Sequence, residues 1–172
     1  MAVLTILKYG DPFLRRKCEP VKKVGPKEKE ILDSMSETMQ AEKGIGLAAT
    51  QVGIDKQFIV VNAGDKILKL VNPKIIKKKG TTFLEERCLS VPGIEVNVKR
   101  SKEIELECID EENRKLTIKV SGLLSHVFQH EIDHLYGKMI IDKLGLLGKL
   151  RAEKKLKKII NPKKVLEKQR NK

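Results

Sequence analysis

The order of apolar and polar residues predicts a β-rich first part of the chain. Short apolar runs are typical of strands, and they occur at 58–61, 67–71 and 116–120. Ile104, Leu106 and Cys108 alternate with glutamates, so we expect that strand to have one buried and one solvated face. The polar segment 110–113 then turns the chain, which completes a hairpin.

Helical periodicity marks three further segments, with expected bounds of 26–42, 121–137 and 146–160. Pro26 suits the first position of a helix, and Ser121 is a suitable N-cap. Gly44 and Gly137 stop the first two helices, and Asn161-Pro162 ends the third, after which the basic end is expected to fray.

The succession of elements predicts an α+β fold, because strands come first, then one buried helix, then a peripheral one. With 172 residues, we expect a single domain. In that domain, antiparallel or mixed β-sheets pack around the central helix, and the C-terminal helix lies outside. Turn-forming or charged residues predict an extended arm over 1–25 and turns at 77–80 and Pro92-Gly93.

Charge is unevenly distributed along the chain. Residues 143–172 hold +10 of the total net charge of +13, so residues 1–142 carry only +3. We expect a catalytic body over 1–142 and a basic helical extension of the same domain over 143–172. The sequence has no run of 18 apolar residues and no signal-peptide layout at its start, so we expect a cytoplasmic protein without membrane association.

The strongest chemical signal is the segment 129–134, QHEIDH. Two histidines four residues apart on a helix lie on one face, about 6 Å apart along the axis, so His130 and His134 can reach one metal ion. Glu131 can then take a proton from a water molecule that the ion activates. His126 is also four residues from His130, but that pairing would put Val127 in the place of the base. We therefore expect His126 to be a pocket-wall or rim residue one turn away, with a solvated surface histidine as the alternative.

A catalytic metal site of this kind needs a third protein ligand. Ile140 stands where a metzincin would have its third histidine, and Glu153 lies close to the position of a thermolysin-type glutamate, within a charged stretch. Cys88 is the better ligand chemically, because a thiolate binds divalent iron or zinc strongly. The three cysteines are widely spaced and odd in number, which argues against a disulfide framework. Spacing along the sequence leaves the third ligand open.

The segment 44–53 is rich in small residues and includes Gln51. A phosphate-binding loop is not supported, because no Lys-Ser/Thr pair follows the glycines. Small residues would instead let the backbone lie close to a ligand, while Gln51 presents a hydrogen-bond donor.

Three segments together resemble the peptide deformylases: 44–51 (GIGLAATQ), 86–90 (ERCLS) and 129–137 (QHEIDHLYG). The HExxH motif alone is moderately specific, whereas all three segments in this order are very specific. The resemblance extends from near residue 5 to about residue 143. It implies a metal-dependent hydrolase that removes the formyl group from the N-terminal formylmethionine of nascent chains.

The resemblance also implies a role for each matching residue. Cys88, His130 and His134 would hold the metal, and Glu131 would be the general base and acid. The other positions would contact substrate: Gln51 and the Leu89 backbone N–H at the formyl oxygen; Ile45, Gly46 and Arg87 along the peptide backbone; Leu123, His126 and Val127 around the methionine side chain.

One position departs from the family pattern, which usually has glycine where this chain has Arg87. If that position needed φ > 0, arginine would strain the loop or alter the pairing of its backbone with the substrate peptide. The guanidinium is also placed to contact an acidic residue of the substrate. Arg100 is expected to pair with Glu86 and brace the metal loop. Asp133 is expected to fix a ligand or a neighbouring group, with a plain surface aspartate as the alternative.

The expected cofactor is one divalent metal ion, Fe²⁺ in the cell, with Zn²⁺ or Ni²⁺ able to substitute. The expected partners are N-formylmethionyl nascent peptides and, through the basic tail, the ribosome near its exit tunnel, and we expect a monomer. Two other functions compete with this hypothesis. One is a different HExxH hydrolase that uses Glu153. The other is a small basic RNA-binding protein, which two Tyr, four Phe and no Trp support poorly.

Overall fold

The computed structural model describes residues 2–160. The predictions for Asn161-Pro162 and the basic end fall outside that range. The helices are α1 (Pro26–Ala41), α2 (Gly122–Leu135) and α3 (Leu146–Ile160). The strands are β1 (Gly46–Ala48), β2 (Phe58–Asn62), β3 (Ile67–Lys79), β4 (Thr82–Cys88), β5 (Val91–Arg100), β6 (Glu103–Ile109) and β7 (Lys115–Ser121). Single turns of 3₁₀ helix occur at Pro12–Arg15, Ala49–Val52 and Ile140–Lys143.

The strands form two antiparallel sheets. Five of them pair in the order β1-β2-β3-β6-β7, and β4 pairs with β5 as a separate hairpin. The predicted hairpin of 104–108 with 116–120 is confirmed, because Leu106 pairs with Ile118. The α+β class and the three predicted helices are confirmed as well.

Helix α2 is the central element because it contacts both sheets. Its residues Phe128, Ile132 and Leu135 are buried together with Ile59 and Leu106 of the five-stranded sheet. The opposite face of that sheet is covered by α1, whose buried residues Leu32, Met35 and Met39 pack with Phe58, Val60 and Val71. The histidine-bearing helix is therefore held from several sides.

Helix α2 ends where the chain must pass close to the N-terminal arm. Gly137 has a φ of +68°, and a Cβ at this position would lie 2.4 Å from the backbone oxygen of Arg15. No other residue fits such a close approach, so the predicted stop at Gly137 is confirmed. Ser121 occupies the N-cap position, but its side chain makes no capping hydrogen bond.

One predicted turn is wrong and the other is right only at its last residue: of 77–80, Gly80 alone lies in the turn between β3 and β4. The segment 77–79 continues β3, because Lys77 and Lys79 pair across the ladder with Glu105 and Glu103, at 3.2 and 3.8 Å. Opposite charges facing each other on neighbouring strands stabilise such an extension. Pro92-Gly93 lies within β5, and the chain turns earlier, at 89–90. The sequence pattern did not predict β4 or β5.

Helix α3 lies at the edge of the hairpin. Ala152 and Leu156 are buried against Val91, Ile94 and other residues of β5, whereas Leu146, Leu147 and Leu150 are exposed. Among residues 2–160, no helix is long and apolar enough to span a membrane.

The central packing of α2 is open to a direct test. Phe128 is fully buried, and Phe128→Ala should lower the free energy of unfolding by about 3–5 kcal/mol, because it leaves a cavity between the helix and the sheet. Phe83→Ala is the matched control: this ring is 58% exposed, so the loss should stay within about 0.5 kcal/mol. Equal losses in urea unfolding would show that α2 does not anchor the core.

Candidate metal centre

Helix α2 presents two imidazoles from successive turns on its buried face. The Nε2 atoms of His130 and His134 lie 3.2 Å apart, and both rings are buried. The Sγ atom of Cys88, at the end of β4, lies 3.2 Å from Nε2 of His134. All three potential ligand atoms lie within 4.8 Å of one another.

This donor set fits a single metal ion. In tetrahedral sites with metal–nitrogen bonds of ~2.0–2.1 Å and metal–sulfur bonds of ~2.3 Å, ligand atoms lie roughly 3.3–3.6 Å apart. The separations of 3.2 Å are close to that spacing. A group of three protein ligands, as found among the described residues, fits a catalytic site with an open position better than a structural site, which four protein ligands close.

Glu86 of β4 orients the first histidine. Its carboxylate accepts hydrogen bonds from Nδ1 of His130 at 2.9 Å and from Nδ1 of His126 at 3.0 Å. Because Nδ1 of His130 is the donor to Glu86, its Nε2 lone pair is free to face a metal ion. Glu86 was expected to pair with Arg100, but its contact with the two histidines was not anticipated from the sequence.

Arg100 completes the support of Glu86. Its Nε and Nη2 atoms donate to the two carboxylate oxygens at 2.5 and 3.0 Å, and its Nη1 donates to Asp133 at 2.9 Å. Burial opposes ionisation, but the hydrogen bonds from His130 and Arg100 outweigh it and lower the pKa of Glu86 to about 2. The predicted Arg100–Glu86 pair is confirmed, and Asp133 fixes a neighbouring group, as expected.

Glu131 lies against strand β1 and is 4% exposed. Burial raises the pKa of this carboxyl group to about 7. Its Oε2 has no hydrogen-bond partner among the described residues. A Cβ at position 46 would lie 2.4 Å from Oε1 of Glu131, so Gly46 is required for this close approach.

A cavity of about 590 Å³ opens in front of these groups. It is lined by all the residues that the sequence assigned to substrate or catalysis, together with two of the three potential ligands: Ile45, Gly46, Gln51, Arg87, Cys88, Leu89, Leu123, His126, Val127, His130 and Glu131. Five further lining residues had no predicted part in substrate binding or catalysis, namely Lys43, Gly44, Leu84, Glu85 and Glu86. Gly44 begins the small-residue segment 44–51, whereas Leu84 and Glu85 belong to strand β4, which the sequence pattern did not predict.

Gln51 is held in a fixed orientation beside Cys88. Its Oε1 accepts a hydrogen bond from the backbone N–H of Ala48 at 2.8 Å. This directs the Nε2 donor toward Sγ of Cys88, at 3.6 Å, and Oγ of Ser90, at 3.4 Å. Ser90, fully buried, was not anticipated as part of the site.

Arg87 fits its strand without strain. It is not among the non-glycine residues with positive φ, so the strained loop that was considered for this position does not occur. Its side chain points to solvent and pairs with Glu95 of the neighbouring strand at 2.5 Å. The guanidinium thus already has an acidic partner within the chain.

Glu153 does not join the candidate metal site. Its Oε1 accepts a hydrogen bond from the Tyr9 hydroxyl at 3.0 Å, and it is not part of the group formed by Cys88, His130 and His134. The alternative hydrolase that would use Glu153 as a ligand is therefore wrong.

Comparison with known proteins gives the family. The family model described as "Polypeptide deformylase" matches residues 3–149. The chain belongs to the peptide deformylase family. A peptide deformylase of Buchnera aphidicola subsp. Acyrthosiphon pisum is 44% identical over 162 residues, which cover 92% of this chain and 94% of the relative.

Solved structures of peptide deformylases show the same fold. The protein from Ehrlichia chaffeensis, in complex with actinonin, has a TM-score of 0.91 and 34% identity, covering 94% of this chain and 99% of that one. The protein from Legionella pneumophila has a TM-score of 0.88 and 34% identity, covering 92% and 95%. The membership inferred from three short segments is thus confirmed over nearly the whole chain.

Removal of the thiol tests the donor set of this peptide deformylase. Cys88→Ala should reduce bound metal from about one ion per chain to a small fraction, because only two ligands remain. Cys108→Ala is the matched control, since this cysteine is equally buried but lies on β6 among apolar residues. The measurement is the metal content of both variants by elemental analysis. Full occupancy in Cys88→Ala would exclude the thiol as a ligand.

Proposed function

We propose that this chain is a working peptide deformylase whose reaction takes place in the cavity in front of Cys88, His130 and His134. The enzyme is a metal-dependent hydrolase that releases formate from the N-terminal formylmethionine of new polypeptides. The observation that carries this proposal is the convergence of three buried ligand atoms with the Glu131 carboxylate at one end of that cavity.

One divalent metal ion would be held by Cys88, His130 and His134. Fe²⁺ is the ion that we propose for the cell, with Zn²⁺ or Ni²⁺ as substitutes, because thiolate and imidazole ligands suit all three. When bound, the ion supplies Lewis acidity, which lowers the pKa of water toward ~7 and polarises a carbonyl group.

Glu131 would move the proton. Its buried carboxylate, with one oxygen lacking a partner among the described residues, is available to accept a proton from the attacking water and to return it to the departing amine. The backbone of Gly46 lies directly against this carboxylate, which restricts its movement.

Gln51 and the Leu89 backbone N–H would stabilise the developing oxyanion. The Nε2 atom of Gln51 already points toward Cys88, and Leu89 follows Cys88 directly in the chain. One such donor typically contributes roughly 10²–10³ in rate.

The substrate peptide would add a strand beside Ile45 and Gly46 on one side and Arg87 on the other. The methionine side chain would lie against Leu123, His126 and Val127. Ile45 is 45% exposed and Leu123 57% exposed, which leaves apolar surface at the cavity available to a methionine.

Replacing the Glu131 carboxylate by an amide tests both the proposed function and the role of Glu131. Glu131→Gln should retain metal and lose turnover on formyl-Met-Ala-Ser by roughly 10²–10⁴, because an amide cannot accept the proton. Glu153→Gln should retain both metal and turnover. The assay is anaerobic, with metal analysis of the same samples. Near-normal turnover in Glu131→Gln would refute the base assignment, and an inactive wild type with full metal would refute the function.

The basic C-terminal part would bind the ribosome and take no part in the hydrolysis. We propose a catalytic body at 1–142 and a basic extension of the same domain at 143–172, helical over Leu146–Ile160, in a monomeric cytoplasmic enzyme. Over its described part, α3 carries Lys149, Arg151, Lys154, Lys155, Lys157 and Lys158 against Glu153. Such a charge suits ribosomal RNA near the exit tunnel, where nascent peptides emerge.

Truncation tests the ribosome proposal. Residues 161–172 contain five Lys or Arg and one Glu. Deleting them should weaken ribosome binding and make it less dependent on salt, because fewer counterions are released. Turnover on a short formyl peptide serves as the control and should not change. Unchanged affinity and salt dependence would end the proposal.

A further inference from the structure

A short N-terminal segment connects the two loops that carry the proposed oxyanion donors. We call residues 7–9 the strap. The backbone N–H of Leu7 donates to the carbonyl of Gln51 at 2.8 Å, and the backbone N–H of Tyr9 donates to the carbonyl of Ser90 at 2.8 Å. Between them, Nζ of Lys8 donates to the carbonyl of Leu89 at 2.9 Å. Three successive residues thus hold both donor segments.

Apart from the strap, the two donor segments are joined by the partly buried side chain of Leu89, which packs on the cluster that includes Leu47 and Ala49, and by long contacts of Gln51. Gln51 lies in a 3₁₀ turn after β1, and Leu89 lies in the two-residue turn between β4 and β5. The direct contacts of the Gln51 side chain with this region are long, at 3.4 Å to Ser90 and 3.6 Å to Cys88. The strap contacts are shorter and act on the backbone of both segments.

We propose that Lys8 is a positioning residue for deformylation, holding the 89–90 turn so that the Leu89 N–H and Gln51 meet the same formyl oxygen. This inference rests on the proposed function. The ammonium group makes a charge-assisted hydrogen bond to the Leu89 carbonyl, which is stronger than a neutral one. The Leu89 carbonyl belongs to the peptide that follows the one carrying the Leu89 N–H, so holding it restricts the rotation of Leu89 and limits how far its N–H can turn away from the cavity.

Loss of the Lys8 contact should lower the catalytic rate more than the free energy of unfolding. Lys8 is exposed, and single polar contacts at the surface contribute little to folding. Catalysis is more sensitive, because a misplacement of ~1 Å can cost about 10² in rate. Contacts of the substrate with Ile45, Leu123 and Val127 do not involve the strap, so binding of the substrate should be preserved.

The test compares Lys8→Met with Lys23→Met. Methionine keeps the length of the side chain and removes its charge. Lys23 is also exposed, lines no part of the cavity and has no hydrogen bond or ion pair among the described residues. Lys8→Met should lower kcat roughly tenfold with KM and the urea midpoint unchanged, and Lys8→Arg should restore most of kcat. Lys23→Met should behave like the unaltered enzyme.

Two further readouts separate positioning from general damage. The visible spectrum of the Co²⁺-substituted enzyme should be the same in Lys8→Met, because the ligand set does not change. Amide hydrogen exchange should become faster in the peptide that covers 88–91 and stay constant in α2. A kcat equal to that of Lys23→Met, or a loss caused by KM or by metal content, would overturn the role of Lys8. If the unaltered enzyme and Lys23→Met also failed to deformylate, the proposed function itself would be wrong.

Discussion

The buried carboxylate of Glu86 is the contact on which the candidate site depends. It joins the β4–β5 hairpin to α2, because it accepts hydrogen bonds from His126, His130 and Arg100 at the same time. Removing such charges from water costs roughly several kcal/mol per ion, and only good geometry offsets that cost. The two hydrogen bonds between Arg100 and Glu86 offset this desolvation cost. Without Glu86, the His130 ring would lose the acceptor that orients it, and the hairpin would lose one of its polar links to α2.

Around this contact, the fold buries the polar side chains of the site against one face of α2. Helix α2 is covered by apolar packing on one side, through Phe128 and Leu135, and carries the reactive groups on the other. Glu131 is buried beside Gly46, where no larger residue fits. Burial raises the pKa of Glu131 to about 7, whereas the paired Glu86 has a pKa of about 2. Two carboxyl groups on neighbouring elements thus acquire different properties from their surroundings alone.

The predictions from the sequence succeeded where a local pattern was sufficient. The three helices and the β6–β7 hairpin follow from periodicity and turn residues, and they were confirmed. Strand β4 is not predicted because 82–88 carries mixed polar residues. Strand β5 does carry a local signal that the prediction missed, since Ile94, Val96 and Val98 alternate with polar residues and are buried. Lys77 and Lys79 read as a turn because their stabilising partners, Glu105 and Glu103, are far away in sequence. Pro92-Gly93 reads as a turn because this pair is a strong local turn signal, and Gly93 does have a φ of +69° although it lies within β5.

For the site, the sequence by itself determined the spacing of His130 and His134 and the place of Glu131, since residues four apart on a helix share a face whatever the rest of the chain does. Ligand chemistry and the family resemblance favour Cys88 over Glu153, but only the tertiary structure brings Sγ of Cys88 to the two imidazoles and leaves Glu153 elsewhere. A residue 42 positions before His130 reaches it only through the pairing of β4 with β5 and the packing of that hairpin on α2. The same holds for the contacts of Glu86 and Lys8, because long-range contacts depend on the packing of whole elements and leave no periodic signal along the chain.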